Sequence, residues 1–240
     1  MKKYILLIAA VAMTLMVQAK TLVIYYSYTN NVNRIITELT HLIDADVVRV
    51  EPAEKGLDYE ANNYAIGSAQ ISAIRNNPTN ATSYPAIDPV DVNIDAYDCI
   101  IIGAPLWWSN MAAPLQTFLF HHGNEMAGKK IGLIVSSASS GISGVESDAK
   151  RLIPNGEFMS PSLWIRSSQT PNASNLLDDW LKKINYSEIS SGINNMTFNE
   201  DQRYTVYDLT GSKILTGVNY TSGLNRGIYI INGKKTLVTR

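Results

Sequence analysis

Residues 97–108 read YDCIIIGAPLWW. Positions 99–102 are apolar without interruption, the mark of a strand buried on both faces, as in a parallel sheet covered by helices. Gly103 and Pro105 break the run, and two indoles follow, Trp107 and Trp108. Outward from this strand the chain alternates between two periods. Upstream, TLVIYY (21–26) is a β-branched and aromatic run, and ADVVRVEP (45–52) alternates as a strand ending at Pro52. Between them Val32, Ile35, Ile36, Leu39 and Ile43 recur at helical spacing. Residues 57–77, polar and rich in Asn and Ala, read as a long excursion containing a helix. Downstream, MAAPLQTFLFHHG (111–123) reads as a helix and KKIGLIVSS (129–137) as a second buried strand. SGVESDAKRLI (143–153) is a helix, MSPSLWI (159–165) a weaker strand and SNLLDDWLKKI (174–184) an amphipathic helix.

Strands alternating with helices imply right-handed βαβ units. The expected fold is α/β: a doubly wound, five-stranded parallel sheet with helices on both faces. Such sheets bind ligands beyond the carboxyl ends of their strands, where the strand order reverses. Three loops therefore carry the functional reading, those after Tyr26, Gly103 and Val135.

The first, Ser27-Tyr28-Thr29-Asn30-Asn31-Val32, crowds hydroxyls and amides at a helix N-terminus. Free backbone N–H groups and the helix dipole favour an anion there, and a phosphate fits. The same residues also serve as ordinary N-caps. There is no Walker lysine and no G-x-G-x-x-G. The second loop, residues 103–110, presents Trp107 and Trp108 directly after a buried strand. Indoles at a ligand mouth make a stacking platform for a flat ring; packing against a neighbouring loop or helix is the other reading. The third, residues 136–144, is SSASSGISG, small residues that let a ligand reach the backbone. A phosphate cradle, an aromatic plate and an open polar rim suit a planar heterocycle with a phosphate tail.

Composition removes other classes. The 240 residues are 45% apolar and 17% charged, enough for a full core. Lys and Arg total 20 against 21 Asp and Glu, leaving no basic excess for nucleic acid. The single cysteine, Cys99, excludes an internal disulfide, and three histidines without metal-ligand spacing leave no expected metal site. His121 and His122 read as a solvated helix end and Cys99 as an inert core residue, so no residue is expected to be catalytic.

The chain resembles the flavodoxin family, more narrowly its branch with a tryptophan pair in the second loop, over residues 20–186. The family's first loop, roughly S/T-x-T-G-N-T, is matched by Ser27, Thr29 and Asn31; Asn30 replaces the glycine and Val32 the last threonine. YDCIIIGAPLWW is similar to the family's YD-hhhhG-xPhWW. The serine-rich stretch is similar to its third loop, often T-x-G-G-S. The resemblance implies FMN bound non-covalently by Ser27, Tyr28, Thr29, Asn30, Asn31 and Val32 at the phosphate. It implies Pro105, Leu106, Trp107, Trp108 and Ser109 around the ring, and Ser137, Ala138, Ser139, Ser140 and Gly141 at its polar edge. The implied activity is electron transfer to a redox partner protein or a small-molecule acceptor. Two alternatives stay open: an FMN-dependent NAD(P)H or quinone reductase, and a fold of this kind that has lost FMN.

Both ends read as separate segments. Lys2 and Lys3, the apolar run 4–17 and Val17-Gln18-Ala19 form a signal peptide over residues 1–19, so export is expected. Fourteen apolar residues are short for a membrane span. Processing removes two lysines and no acid, moving the net charge from −1 to −3. A flavodoxin-like domain at 20–186 is followed by a polar linker at 187–202 and a small β tail at 203–240. The tail's VYDLTG (206–211) and GIYIING (227–233) are short strands broken by Gly or Asn-Gly, as hairpins require. In that order they resemble the C-terminal sorting domain read by the type IX secretion system of Bacteroidetes, which implies contact with secretion machinery.

Overall fold

The structure, a computed structural model, describes residues 19–190, 203–218 and 224–238. The expected signal peptide up to residue 18, and the part of the expected linker from 191 to 202, lie outside these residues. The chain forms two compact units, one of them Ala19–Ser187 and the other containing Glu188–Arg240.

The first unit begins with β1 (Thr21–Tyr25), α1 (Asn31–Leu42), β2 (Asp46–Arg49) and α2 (Ala61–Asn76). β3 (Cys99–Trp107), β4 (Asn110–Met111), α3 (Ala113–His122) and β5 (Lys130–Ser137) follow. The unit ends with α4 (Ser143–Leu152), β6 (Glu157–Phe158), β7 (Leu163–Arg166) and α5 (Ala173–Lys183). The sheet runs β2-β1-β3-β5-β6, with β7 also on β5, and these pairings are all parallel. The order reverses between β1 and β3, the expected doubly wound arrangement.

Alternate residues of the central strands enter two cores, as the period of two demands. Leu22, Ile24, Tyr26, Ile100, Ile102 and Leu133 pack with Ile71 and Ile74 of α2, Phe118 of α3 and Ala149 of α4. On the other face, a Cβ at Gly103 would lie 3.0 Å from Ile36 and 3.1 Å from Val32 of α1. Gly132 likewise leaves room for Trp180 of α5, whose ring would stand 3.0 Å from an added Cβ.

Three elements differ from expectation. The strand expected at 159–165 is reduced to β7, which begins only at Leu163, and β6 (Glu157–Phe158) precedes the expected segment. Pro161 lies between them; it has no N–H for the ladder, and its carbonyl accepts Trp180 Nε1 at 2.7 Å. β3 runs to Trp107 instead of stopping at Pro105, because Leu106 and Trp107 pair back onto Met111 and Asn110. Residues 187–190, expected in the linker, belong to a short helix, α6 (Tyr186–Ser190). Tyr186 starts it buried, its hydroxyl 2.8 Å from Thr21 Oγ1.

In the second unit, β8 (Tyr204–Tyr207), β9 (Lys213–Val218), β10 (Gly227–Ile231) and β11 (Lys234–Val238) form an antiparallel sheet in the order β11-β10-β8-β9. Asn232 and Gly233, both at positive φ, turn β10 into β11. Tyr204, Val206, Leu224, Ile231 and Val238 make its core.

Candidate functional site

The three loops leave neighbouring strands. Tyr25 stands beside Gly103, Gly103 beside Ile134, and Pro105 beside Ser136.

In the first loop, Ser27 is buried and its Oγ accepts the Asn33 N–H at 3.2 Å, which anchors the start of α1. Asn30 takes the left-handed conformation, φ 67° and ψ −2°, which a short polar side chain tolerates. Tyr25 donates its hydroxyl to Asn33 Oδ1 at 2.6 Å. Arg49 reaches in from β2: Nη2 donates to the Ser27 carbonyl at 3.1 Å and Nε pairs with Glu51 at 2.6 Å. The N–H groups of residues 29–32 find no acceptor among the described residues. Thr29 Oγ1 lies among them, accepting Asn31 Nδ2 at 3.2 Å. N–H groups left free at a helix head can hold an anion. Val32 turns its side chain into the core beneath Gly103, so only its N–H remains for a ligand.

The second loop is a β-hairpin and not an open loop. Trp108 (φ 45°) and Ser109 (φ 64°) form its two-residue turn, the backbone that matches the twist of paired strands. Trp107 is half-buried and Trp108 is 41% exposed. Both indoles pack on the segment that leads into and through α2. Trp107 meets Tyr59 at 4.7 Å and the edge of Tyr26 at 5.7 Å. Trp108 meets Tyr64 at 6.5 Å and covers Gly67, where a Cβ would come within 2.9 Å of its ring. Tyr64 rides on a left-handed stretch, Asn62, Asn63 and Tyr64 at φ 49°, 56° and 62°. Pro105 and Leu106 lie beneath the hairpin in β3, and Leu106 packs on the core. Burial pushes the Tyr26 and Tyr59 hydroxyls upward, so both phenols stay neutral.

In the third loop Ser137 is buried and its hydroxyl is engaged, donating to the Ser140 carbonyl at 2.8 Å and accepting Trp164 Nε1 at 2.8 Å. Ala138, Ser139, Ser140 and Gly141 are exposed. The Arg166 guanidinium lies 4.8 Å from the Trp164 ring.

The sequence gives no site signal for Arg49, Tyr59, Gly67 or Trp164. Arg49 sits in a strand with no motif around it, and Tyr59 and Gly67 lie in a stretch read as an excursion containing a helix, with no site signal. His121 is exposed and His122 pairs with Glu125 at 3.0 Å, the expected helix end. A cleft of about 320 Å³ lies beside them, lined among others by Tyr84, Asp88 and Thr117, and it shares no residue with the three loops. Among the described residues no His, Cys, Asp or Glu cluster could hold a metal.

A family profile described as Flavodoxin matches residues 20–184. A flavoprotein-designated crystal structure from Bacteroides eggerthii DSM 20697 has TM-score 0.56 at 24% identity, over 70% of this chain and 98% of that one. A second, from Bacteroides uniformis ATCC 8492, has TM-score 0.54 at 24% identity, over 69% and 99%. The flavoprotein of Lactobacillus acidophilus NCFM, crystallised in complex with FMN, has TM-score 0.51 at 21% identity, over 65% and 99%. A search of curated proteins returned no match. The structural likenesses establish the fold, and the profile spans well over half of the sequence; the chain belongs to the flavodoxin family.

Proposed function

We propose that this chain is an exported electron carrier that holds FMN non-covalently. The observation that carries the reading is the free head of α1: the N–H groups of residues 29–32, without acceptors among the described residues, beside the Thr29 hydroxyl. They stand one strand away from a tryptophan hairpin. A ligand with a phosphate at one end and a flat ring at the other suits both.

The donor set fits FMN. Neutral N–H and hydroxyl donors at a helix N-terminus stabilise a phosphate without a lysine. Ser27 and Arg49 hold the loop in shape, and Thr29 and Asn31 supply side-chain donors. Trp107 and Trp108 offer apolar surface that keeps water from a ring. Residues 138–141 offer exposed backbone groups to its polar edge. FMN, when bound, supplies electron-transfer chemistry that no side chain of this site provides. The FMN complex of the L. acidophilus neighbour supports the same reading.

Lys2, Lys3 and the apolar run before Ala19 support export, and the tail's likeness to a sorting domain supports a route through secretion machinery. The redox partner is then a protein or a small-molecule acceptor. The test is an absorption spectrum of the mature protein before and after FMN is added, followed by gel filtration. Flavin bands that travel with the protein are expected; their absence with excess FMN would overturn the reading and favour a domain that has lost the cofactor. The exposed loop at 138–141 and the exposed edge of Trp108 favour a second reading, an NAD(P)H or quinone reductase. Steady NADH oxidation by the FMN-loaded protein would select it.

A further inference from the structure

Groups outside the three loops converge on one residue of the tryptophan hairpin. Asn110 pairs across the turn with Trp107. Its Oδ1 accepts Arg75 Nε of α2 at 2.8 Å, and its Nδ2 donates to Asp148 Oδ2 of α4 at 2.9 Å. Arg75 also donates Nη2 to the Trp108 carbonyl at 2.9 Å. Asp148 Oδ2 accepts the Met111 N–H at 2.9 Å, so the carboxylate holds the hairpin twice. Asp148 Oδ1 faces Arg151 at 3.1 Å, and Arg151 continues to Gln116 Oε1 at 2.8 Å and Tyr84 Oη at 3.0 Å. Gln116 Nε2 returns to the Met111 carbonyl at 2.7 Å.

Asp148 is 7% exposed. A carboxylate there requires partners, and two of its donors belong to the hairpin. The relay also has a fixed polarity. Turning the Asn110 amide over would set its NH₂ against Arg75 and its oxygen against Asp148, so one orientation alone satisfies both neighbours. The turn it secures is strained, with Trp108 and Ser109 both left-handed. From the α4 side the fit is tight, because a Cβ on Gly144 would overlap the Ser109 carbonyl oxygen.

We propose that Asn110 and Asp148 are positioning residues that fix the pose of the Trp107–Trp108 hairpin, so that affinity for a planar ring depends on a polar relay that ties the second loop to α2 and α4. The proposal rests on the reading that this site binds FMN. Asn110→Asp sets two carboxylates against each other at constant size. The double variant Asn110→Asp with Asp148→Asn relieves that repulsion and restores one donor–acceptor pair with the charge moved, while the Met111 N–H then faces an NH₂ group.

The experiment uses the full mature chain and three readouts: FMN titration, thermal melting, and near-ultraviolet circular dichroism of the protein without FMN. The last reports the edge-on Trp107–Trp108 pair, 6.4 Å apart. The single variant is expected to weaken FMN binding at least tenfold and to alter the tryptophan signal. The double variant is expected to recover part of the lost affinity and part of the tryptophan signal. A single variant that binds FMN within threefold of the parent with an unchanged tryptophan signal overturns the proposal. So does a double variant no better than the single. If the single variant does not fold, Arg75→Met, at an exposed position, cuts the α2 side of the relay; an unchanged affinity and tryptophan signal there overturns the proposal equally. Should the parent bind no FMN, the functional reading fails by itself. The tryptophan signals of the single and double variants still decide whether the relay poses the hairpin.

Discussion

Asn30 holds a left-handed backbone at the head of α1, and a β-branched side chain there would clash with its own carbonyl. Asn30→Val should lower stability by about 1–2 kcal/mol and weaken FMN binding, because the N–H groups that follow depend on this turn. Asn30→Gly should keep both, and urea unfolding with FMN titration checks the pair. Cys99 is fully buried, and burial pushes its thiol from 9.0 up to about 12. An unfolded chain ionises this thiol above pH 9 while the folded chain keeps it neutral. The stability this contributes is complete below pH 9 and is lost as pH rises towards about 12. Cys99→Ala should flatten part of that alkaline fall, measured by denaturant unfolding between pH 8 and 11. The native thiol should resist thiol reagents at pH 8 and react once unfolded.

Among the elements, α2 has the largest consequence for the site. It was legible as a helix within a polar excursion, without its role: it roofs the tryptophan hairpin through Gly67 and holds it through Arg75. Gly67→Ala puts a methyl within 2.9 Å of the Trp108 ring. Trp108 is partly exposed and can yield, so the expected cost is modest, at or below about 1 kcal/mol in stability. The larger effect should appear in tryptophan fluorescence and in FMN affinity, because the indole is displaced. An equal loss of stability with neither of those changes would show that the contact serves packing alone.

For the whole molecule, the two units differ in how their cores are built. The Ala19–Ser187 unit buries both faces of its sheet, while the tail rests on a few residues around Tyr204, Val206 and Ile231. A four-stranded sheet of that size is near the lower limit for independent stability. A chain ending at Ser190 should therefore fold with cooperative melting and bind FMN as the full mature chain does. Calorimetry and flavin titration on the two chains check this. A truncated chain that aggregates or loses FMN would make the tail part of the folding unit.

Much of this architecture was legible before any coordinates. Hydrophobic period reports which face of a segment is buried, so the strand at 97–105, its neighbours and the order of helices could be read from residue type alone. Turn chemistry acts over a few residues, which is why Asn232-Gly233 also announced itself. The same local rules could not say what covers a buried face. They left one strand over 159–165 where strand structure begins only beyond Pro161, and a loop where Trp107 and Asn110 pair as a hairpin. The relay that holds this hairpin joins partners 33 to 38 residues apart. Side chains that meet across such separations follow no period, and their pairing exists only once the sheet has brought α2, β4 and α4 to one corner.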